Sequence, residues 1–92
     1  MNGTGGHSNL AQLYEKVGMK DTALEVLNKG VAENPGDAVL YNDIGDLYAD
    51  RWFSNQRVDD CHRAIDMFSN AIRFDPDGDH LVGISRAVNR ST

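Results

Sequence analysis

The stretch LAQLY at residues 10–14 recurs as IGDLY at residues 44–48, and this repetition decides the fold. Each copy has an aliphatic residue, a small residue and a tyrosine at equivalent positions, 34 residues apart. The stretch ALEVLNKGV at residues 23–31 then recurs as AIDMFSNAI at residues 64–72, 41 residues later. The change in spacing places a seven-residue insertion near residues 49–60. The chain therefore contains two copies of one structural unit.

The first copy is predicted to form two helices. Its apolar residues follow the spacing i, i+3, i+4 and i+7, which is typical of the buried face of an amphipathic helix. Gly18 is expected to end the first helix, and Asp21 to cap a second helix that runs to about Glu33. The buried faces are predicted to contain Leu10, Leu13, Tyr14 and Val17 in the first helix, and Ala23, Leu24, Leu27 and Val31 in the second.

The second copy is separated from the first by NPGD at residues 34–37. Proline cannot continue a helix, and Asp37 can cap the next one. The third helix is expected over residues 38–51, the fourth from a cap at Ser54 or Asn55 to about Phe74. The predicted apolar residues are Leu40, Tyr41, Ile44, Leu47 and Tyr48 in the third helix, and Ala64, Ile65, Phe68, Ala71 and Ile72 in the fourth.

A second stop signal, DPDG at residues 75–78, precedes a predicted fifth helix over residues 79–89, with Leu81, Ile84 and Val88 on one face.

Small residues recur in both copies where paired helices are expected to cross closely, because a larger side chain would hold the helix axes apart. These residues are Ala11, Ala23, Gly30, Gly45, Ala64 and Ala71.

The repeated residues resemble the tetratricopeptide repeat, whose pattern is W-x2-L-G-x2-Y, then A-x3-F, then P. The first copy supplies His7, Leu10, Ala11, Tyr14, Ala23, Leu27 and Pro35, and the second supplies Tyr41, Ile44, Gly45, Tyr48, Ala64, Phe68 and Pro76. The departures are His7 at the tryptophan position and the insertion. The resemblance implies an all-α domain over residues 1–92, built of antiparallel helix-turn-helix repeats in an α-solenoid of about five helices. Repeat 1 would span residues 4–37, repeat 2 residues 38–78, and a capping helix residues 79–90.

The resemblance implies a scaffold that binds another protein or peptide and has no catalytic activity. In this family the first helix of each pair lines a concave groove. The matching positions here are Ser8, Gln12, Lys16, Asn42, Asp43, Asp46 and Asp50. Some family members clamp a carboxylate with cationic and amide side chains on these helices. The positions that match this clamp are Ser8, Gln12, Asp43, His80 and Ile84, which supply no cationic clamp. The runner-up function is self-association within a larger assembly, through an incompletely covered end of the array.

Three aspartates, Asp43, Asp46 and Asp50, lie at i, i+3 and i+7 and project from one face of the third helix. One interpretation is an acidic groove for a ligand that carries Arg or Lys. The other, which we favour from the sequence, is a solvated helix face.

The insertion contains Trp52 and Phe53 beside two arginines. Tryptophan dominates many interface hot spots, so a protruding pair could serve as interface anchors. The alternative, favoured here, is that both rings fold back over the fourth helix.

The net charge of −5 argues against a nucleic-acid partner or an anionic membrane, because both require clustered cations. The single cysteine, Cys61, fits a reducing compartment, and a cytoplasmic location is expected. The three histidines lack metal-ligand spacing, and Cys61 and His62 point about 100° apart on a helix, so neither a metal, a cofactor nor a nucleophilic pair is expected.

Overall fold

The computed structural model describes residues 4–76 of the chain. These residues form four helices and contain no strand, so the all-α class is confirmed. The helices are α1 (Thr4–Lys16), α2 (Lys20–Glu33), α3 (Ala38–Asn55) and α4 (Val58–Phe74). None of them is long and apolar enough to cross a membrane. The predicted fifth helix over residues 79–89 lies outside the described residues.

Consecutive helices pack side by side: α1 on α2, α2 on α3, and α3 on α4, with a smaller contact between α1 and α3. Burial of aliphatic side chains between these layers supplies the main stabilisation of such a fold. Tyr48 lies where two buried clusters meet. The first cluster contains Ala11, Ala23, Leu27, Leu40, Ile44 and Leu47, and the second contains Ala49, Ala64 and Phe68.

The predicted close crossings are confirmed at two glycines. A Cβ atom on Gly45 would lie 2.7 Å from Cε1 of Phe68, inside any allowed contact distance. A Cβ atom on Gly30 would lie 3.0 Å both from Cγ of His7 and from Cδ1 of Leu40. Each glycine therefore lets a ring of the neighbouring helix lie directly on the helix backbone.

The helix ends match the sequence prediction at two positions. Gly18 adopts a left-handed conformation with φ of 86°, and the Met19 amide donates to the Tyr14 carbonyl at 2.8 Å, which closes α1. The Asp37 side chain accepts a hydrogen bond from the Val39 amide at 3.0 Å and caps α3.

Two predicted caps are wrong. The N-cap of α2 is Met19, and Asp21 lies one residue inside the helix, where its carboxylate pairs with Arg51 of α3. The N-cap of α4 is Arg57, because α3 continues to Asn55 and takes up most of the insertion. Side-chain type indicates where a cap is possible, whereas packing decides how far each helix extends.

The predicted buried face of α1 is also wrong. Leu10, Leu13 and Val17 are exposed, and of the four predicted residues only Tyr14 is partly buried. The residues of α1 that face the core are instead small or polar: Ser8 and Ala11 are buried, and Glu15 is partly buried. The apolar spacing identified a helix correctly but placed its buried face on the wrong side.

Candidate binding face on the first and third helices

A buried hydrogen bond joins α1 to α3. The Ser8 hydroxyl donates to Oδ2 of Asp43 at 2.6 Å, and Ser8 is only 6% exposed. A hydrogen bond to a carboxylate is stronger than one between neutral groups. Two residues predicted from the sequence as neighbours in a groove are therefore in direct contact, but Ser8 lies beneath the surface rather than on it.

Four carboxylates gather on the side of the molecule where α1 and α3 meet. The pKa of Glu15 is raised above its ordinary value. Burial is the largest cause, and the negative charges of Asp43, Asp50 and Asp46 raise the pKa further. Lys20 opposes the shift. We call Glu15, Asp43, Asp46 and Asp50 the acidic face; all four are partly buried.

The pKa of Asp43 is raised as well. Burial is the main cause, and the charge of Asp37 adds to it, whereas the hydrogen bond from Ser8 lowers the pKa. Both raised pKa values mean that the ionised carboxylates of Glu15 and Asp43 are less stable in the folded chain than in water, since burial removes solvation from the charged form. A cation placed over the acidic face would stabilise the ionised carboxylates.

Glu15 was missed by sequence reasoning because it is not at a groove position of the repeat pattern. A signal was present, since Glu15 lies seven residues after Ser8, two helical turns away on the same side of α1. The other predicted groove residues flank the acidic face: Gln12 and Lys16 are exposed and Asn42 is partly buried.

The aromatic pair of the insertion folds back. Trp52 is 6% exposed, and Phe53 is partly buried against the cluster that contains Ala49, Ala64 and Phe68. Trp52 is therefore buried and does not protrude from the described surface. The extra residues of α3 supply the length on which both rings lie.

The turn from α3 to α4 is organised around Asp60, a charged residue that is only 4% exposed. Its carboxylate accepts from Nδ2 of Asn55 and from Nη1 of Arg63, each at 3.3 Å. Asn55 also accepts the Arg57 amide at 2.9 Å. Asp60 lies in the first turn of α4, where the helix dipole favours a negative charge. Its role is structural, and nothing in the sequence distinguished it from its exposed neighbour Asp59.

No family model matches the chain, and no curated protein matches it. Within residues 4–76, no group of three His, Cys, Asp or Glu side chains is placed to hold a metal ion. The acidic face is built from carboxylates of two helices, with Glu15 on α1 and the three aspartates on α3.

Proposed function

We propose that this chain is a binding module for a basic protein segment or peptide, which lies across α1 and α3. It would act as a scaffold of the tetratricopeptide type, without catalysis. The observation that supports the proposal is the acidic face, in which burial and then the three aspartates of α3 raise the pKa of Glu15 on α1. The same two helices are those that the repeat resemblance assigns to the groove.

The chemistry of the acidic face suits arginine or lysine side chains. Each carboxylate accepts two or more hydrogen bonds, and pairing with a guanidinium or ammonium group gives short, charge-assisted bonds. The face is partly buried, so such pairs would be screened less than pairs on an open surface. The net charge of −5 would further attract a basic segment during its approach.

An extended ligand fits better than a single cation. The aspartates of α3 span positions 43 to 50, about 10 Å along the helix at 1.5 Å per residue. A peptide with alternating basic residues places successive like side chains about 7 Å apart, at about 3.3 Å per residue. Two such side chains would reach carboxylates at both ends of the acidic face.

The test is binding of two fluorescein-labelled peptides of equal length, one alternating Arg and Ala and the other alternating Glu and Ala, measured by fluorescence anisotropy. We expect the arginine peptide alone to bind, more weakly as salt is raised. Asp46→Asn with Asp50→Asn should weaken its binding by about tenfold, which corresponds to about 1.4 kcal/mol. This pair leaves the Ser8–Asp43 hydrogen bond intact.

The matched control replaces two exposed aspartates of α4, Asp59→Asn with Asp66→Asn, and so changes the net charge equally. The control should bind as the parent chain does. Equal loss in both variants would show that only overall charge matters, and no binding of the arginine peptide at low salt would refute the proposal.

A further inference from the structure

A cavity of about 520 Å³ lies at the amino end of α3, and we call it the α3 cavity. The turn between α2 and α3, the first residues of α3 and the carboxyl end of α4 line it. Val39 and Phe74 supply its apolar wall and are 50% and 45% exposed. Ligand pockets have volumes of roughly 300–1,000 Å³. The α3 cavity is therefore large enough for a whole aromatic side chain.

The apolar wall is held in place by the rest of the fold. The Phe74 ring stacks on the Tyr41 ring, with the ring centres 5.5 Å apart and the planes 15° from parallel. The Tyr41 hydroxyl donates to the Pro35 carbonyl at 2.7 Å, which ties the stacked pair to the turn between α2 and α3. A wall that is already ordered binds a ligand without a further loss of side-chain entropy.

The rim of the α3 cavity favours positive charge. Asp37 and Asp75 both line it. It also lies beside the carboxyl ends of α2 and α4, where the helix dipole is negative, while the Asp37 cap offsets the positive amino end of α3. Arg73 places one guanidinium 5.8 Å from the centre of the Phe74 ring, against the two carboxylates. The rim therefore suits an apolar residue with basic neighbours better than one with acidic neighbours.

The α3 cavity continues the acidic face at the amino end of α3. Val39, Asp43, Asp46 and Asp50 lie at i, i+4, i+7 and i+11, on one side of the helix. Val39 precedes Asp43 by about 6 Å along the helix axis, at 1.5 Å per residue. The charge of Asp37 raises the pKa of Asp43, so the rim is within electrostatic reach of the acidic face.

We propose that the α3 cavity binds an aromatic side chain of the same basic segment that lies on the acidic face. The inference rests on the proposed function, since the acidic face binds the basic part of the ligand. In an extended peptide, side chains two residues apart on one side are about 7 Å apart, close to the axial step from Val39 to Asp43. The ligand should therefore carry its aromatic residue two positions from its first basic residue. Aromatic anchors that fill pockets carry much of the affinity of such contacts.

The experiment displaces the fluorescein-labelled arginine peptide from the 92-residue chain with unlabelled peptides of equal length. Two in-line peptides, Phe-Ala-Arg-Ala-Arg-Ala-Arg and Arg-Ala-Arg-Ala-Arg-Ala-Phe, place the ring on the same side as the arginines. Their controls, Ala-Phe-Arg-Ala-Arg-Ala-Arg and Arg-Ala-Arg-Ala-Arg-Phe-Ala, have the same composition but place the ring on the opposite side. The in-line peptide whose ring reaches the amino end of α3 should compete about tenfold better than its control, because the ring is buried.

Substitutions in the α3 cavity test where the ring binds. Gly36→Leu should fill part of the cavity, since a Cβ there would lie 3.9 Å from Cδ1 of Phe74, and Val39→Ser should remove part of the apolar wall. Each should reduce the in-line advantage to about threefold or less. Val58→Ser is the matched control, at a valine that is 58% exposed at the opposite end of α4 from Phe74, and it should keep the full advantage. Circular dichroism checks that each variant is folded.

The outcomes separate this inference from the proposed function. If the labelled peptide does not bind at low salt, both are refuted. If it binds and neither in-line peptide competes better than its control, or the advantage survives Gly36→Leu and Val39→Ser, only the inference is overturned. Leu81→Ser with Ile84→Ser tests the residues after Pro76 as the occupant. An in-line advantage that appears only in this double variant would assign the α3 cavity to the chain's own residues and overturn the proposal.

Discussion

At the scale of single residues, the contact between Gly45 and Phe68 sets how closely α3 and α4 approach. The Phe68 ring is completely buried and cannot swing into solvent to make room for a larger side chain. Three of its ring atoms lie within 3.0 Å of the position that a Cβ on Gly45 would take. The absence of a side chain at position 45 is therefore a requirement of the fold.

We expect Gly45→Ala to lower the free energy of unfolding by about 1–2 kcal/mol. Overpacking a core costs roughly 1–3 kcal/mol, and the higher helix propensity of alanine than of glycine offsets up to about 1 kcal/mol of this loss. Urea denaturation followed by circular dichroism measures the difference.

The matched control is Gly6→Ala in α1, where an added Cβ meets nothing within 4 Å. At position 6 the substitution changes only the helix propensity, so the free energy of unfolding should rise by about 0.5–1 kcal/mol. If both substitutions had the same sign, the assigned role of the Phe68 ring would be wrong.

Trp52 gives a direct optical test of the folded-back insertion, because it is the only tryptophan in the chain. Its indole is buried, and its Nε1 has no hydrogen-bond partner among the described residues. We expect its fluorescence emission to be blue-shifted relative to the denatured chain and protected from iodide quenching. Emission and quenching equal to those of the unfolded chain in urea would contradict the burial.

At the scale of the helices, the sequence predicted the buried faces of α2, α3 and α4 better than that of α1. The apolar residues predicted for α2, α3 and α4 are all buried or partly buried, because a packed helix lies on both sides of α2 and α3 and along α4. α1 packs on α2 and α3 through the side that carries Ser8 and Ala11, so Leu10, Leu13 and Val17 face solvent. Periodicity identifies an apolar face, but the side on which the neighbouring helices pack decides whether that face is covered.

Glu15 makes the electrostatics of the α1–α3 contact measurable through pH. Its pKa is raised by burial and by the three aspartates, so the folded chain binds this proton more tightly than the unfolded chain. The contribution of Glu15 to the free energy of unfolding is therefore greatest at acid pH. It falls as the pH rises from the ordinary glutamate pKa to the raised pKa of the folded chain. At neutral pH the charged form destabilises the fold.

We expect Glu15→Gln to raise the free energy of unfolding at neutral pH by about 0.2–0.5 kcal/mol, the size of a like-charge repulsion at a helix surface. The gain should vanish below the ordinary glutamate pKa of about 4. Glu25→Gln, at an exposed position of α2, is the matched control and should show a smaller gain. A gain from Glu15→Gln that does not depend on pH would exclude repulsion as its cause.

At the scale of the whole molecule, α1 has two separate surfaces. Its inner side contributes Glu15 to the acidic face, and its outer side carries the exposed residues Leu10, Leu13 and Val17. The repetition at residues 10–14 and 44–48 was enough to predict the four described helices and most of the core. It was not enough to predict Glu15, because the acidic face depends on two helices approaching across the fold rather than on spacing within one.

The most direct test of the central claim is a nuclear magnetic resonance titration of the ¹⁵N-labelled chain with the alternating arginine peptide. Amide shifts should change most at Gln12, Glu15, Asp43, Asp46 and Asp50, and little along α4. Saturable changes confined to these positions are the predicted result. Changes spread evenly over all exposed acidic residues, or centred on α4, would contradict binding at the acidic face.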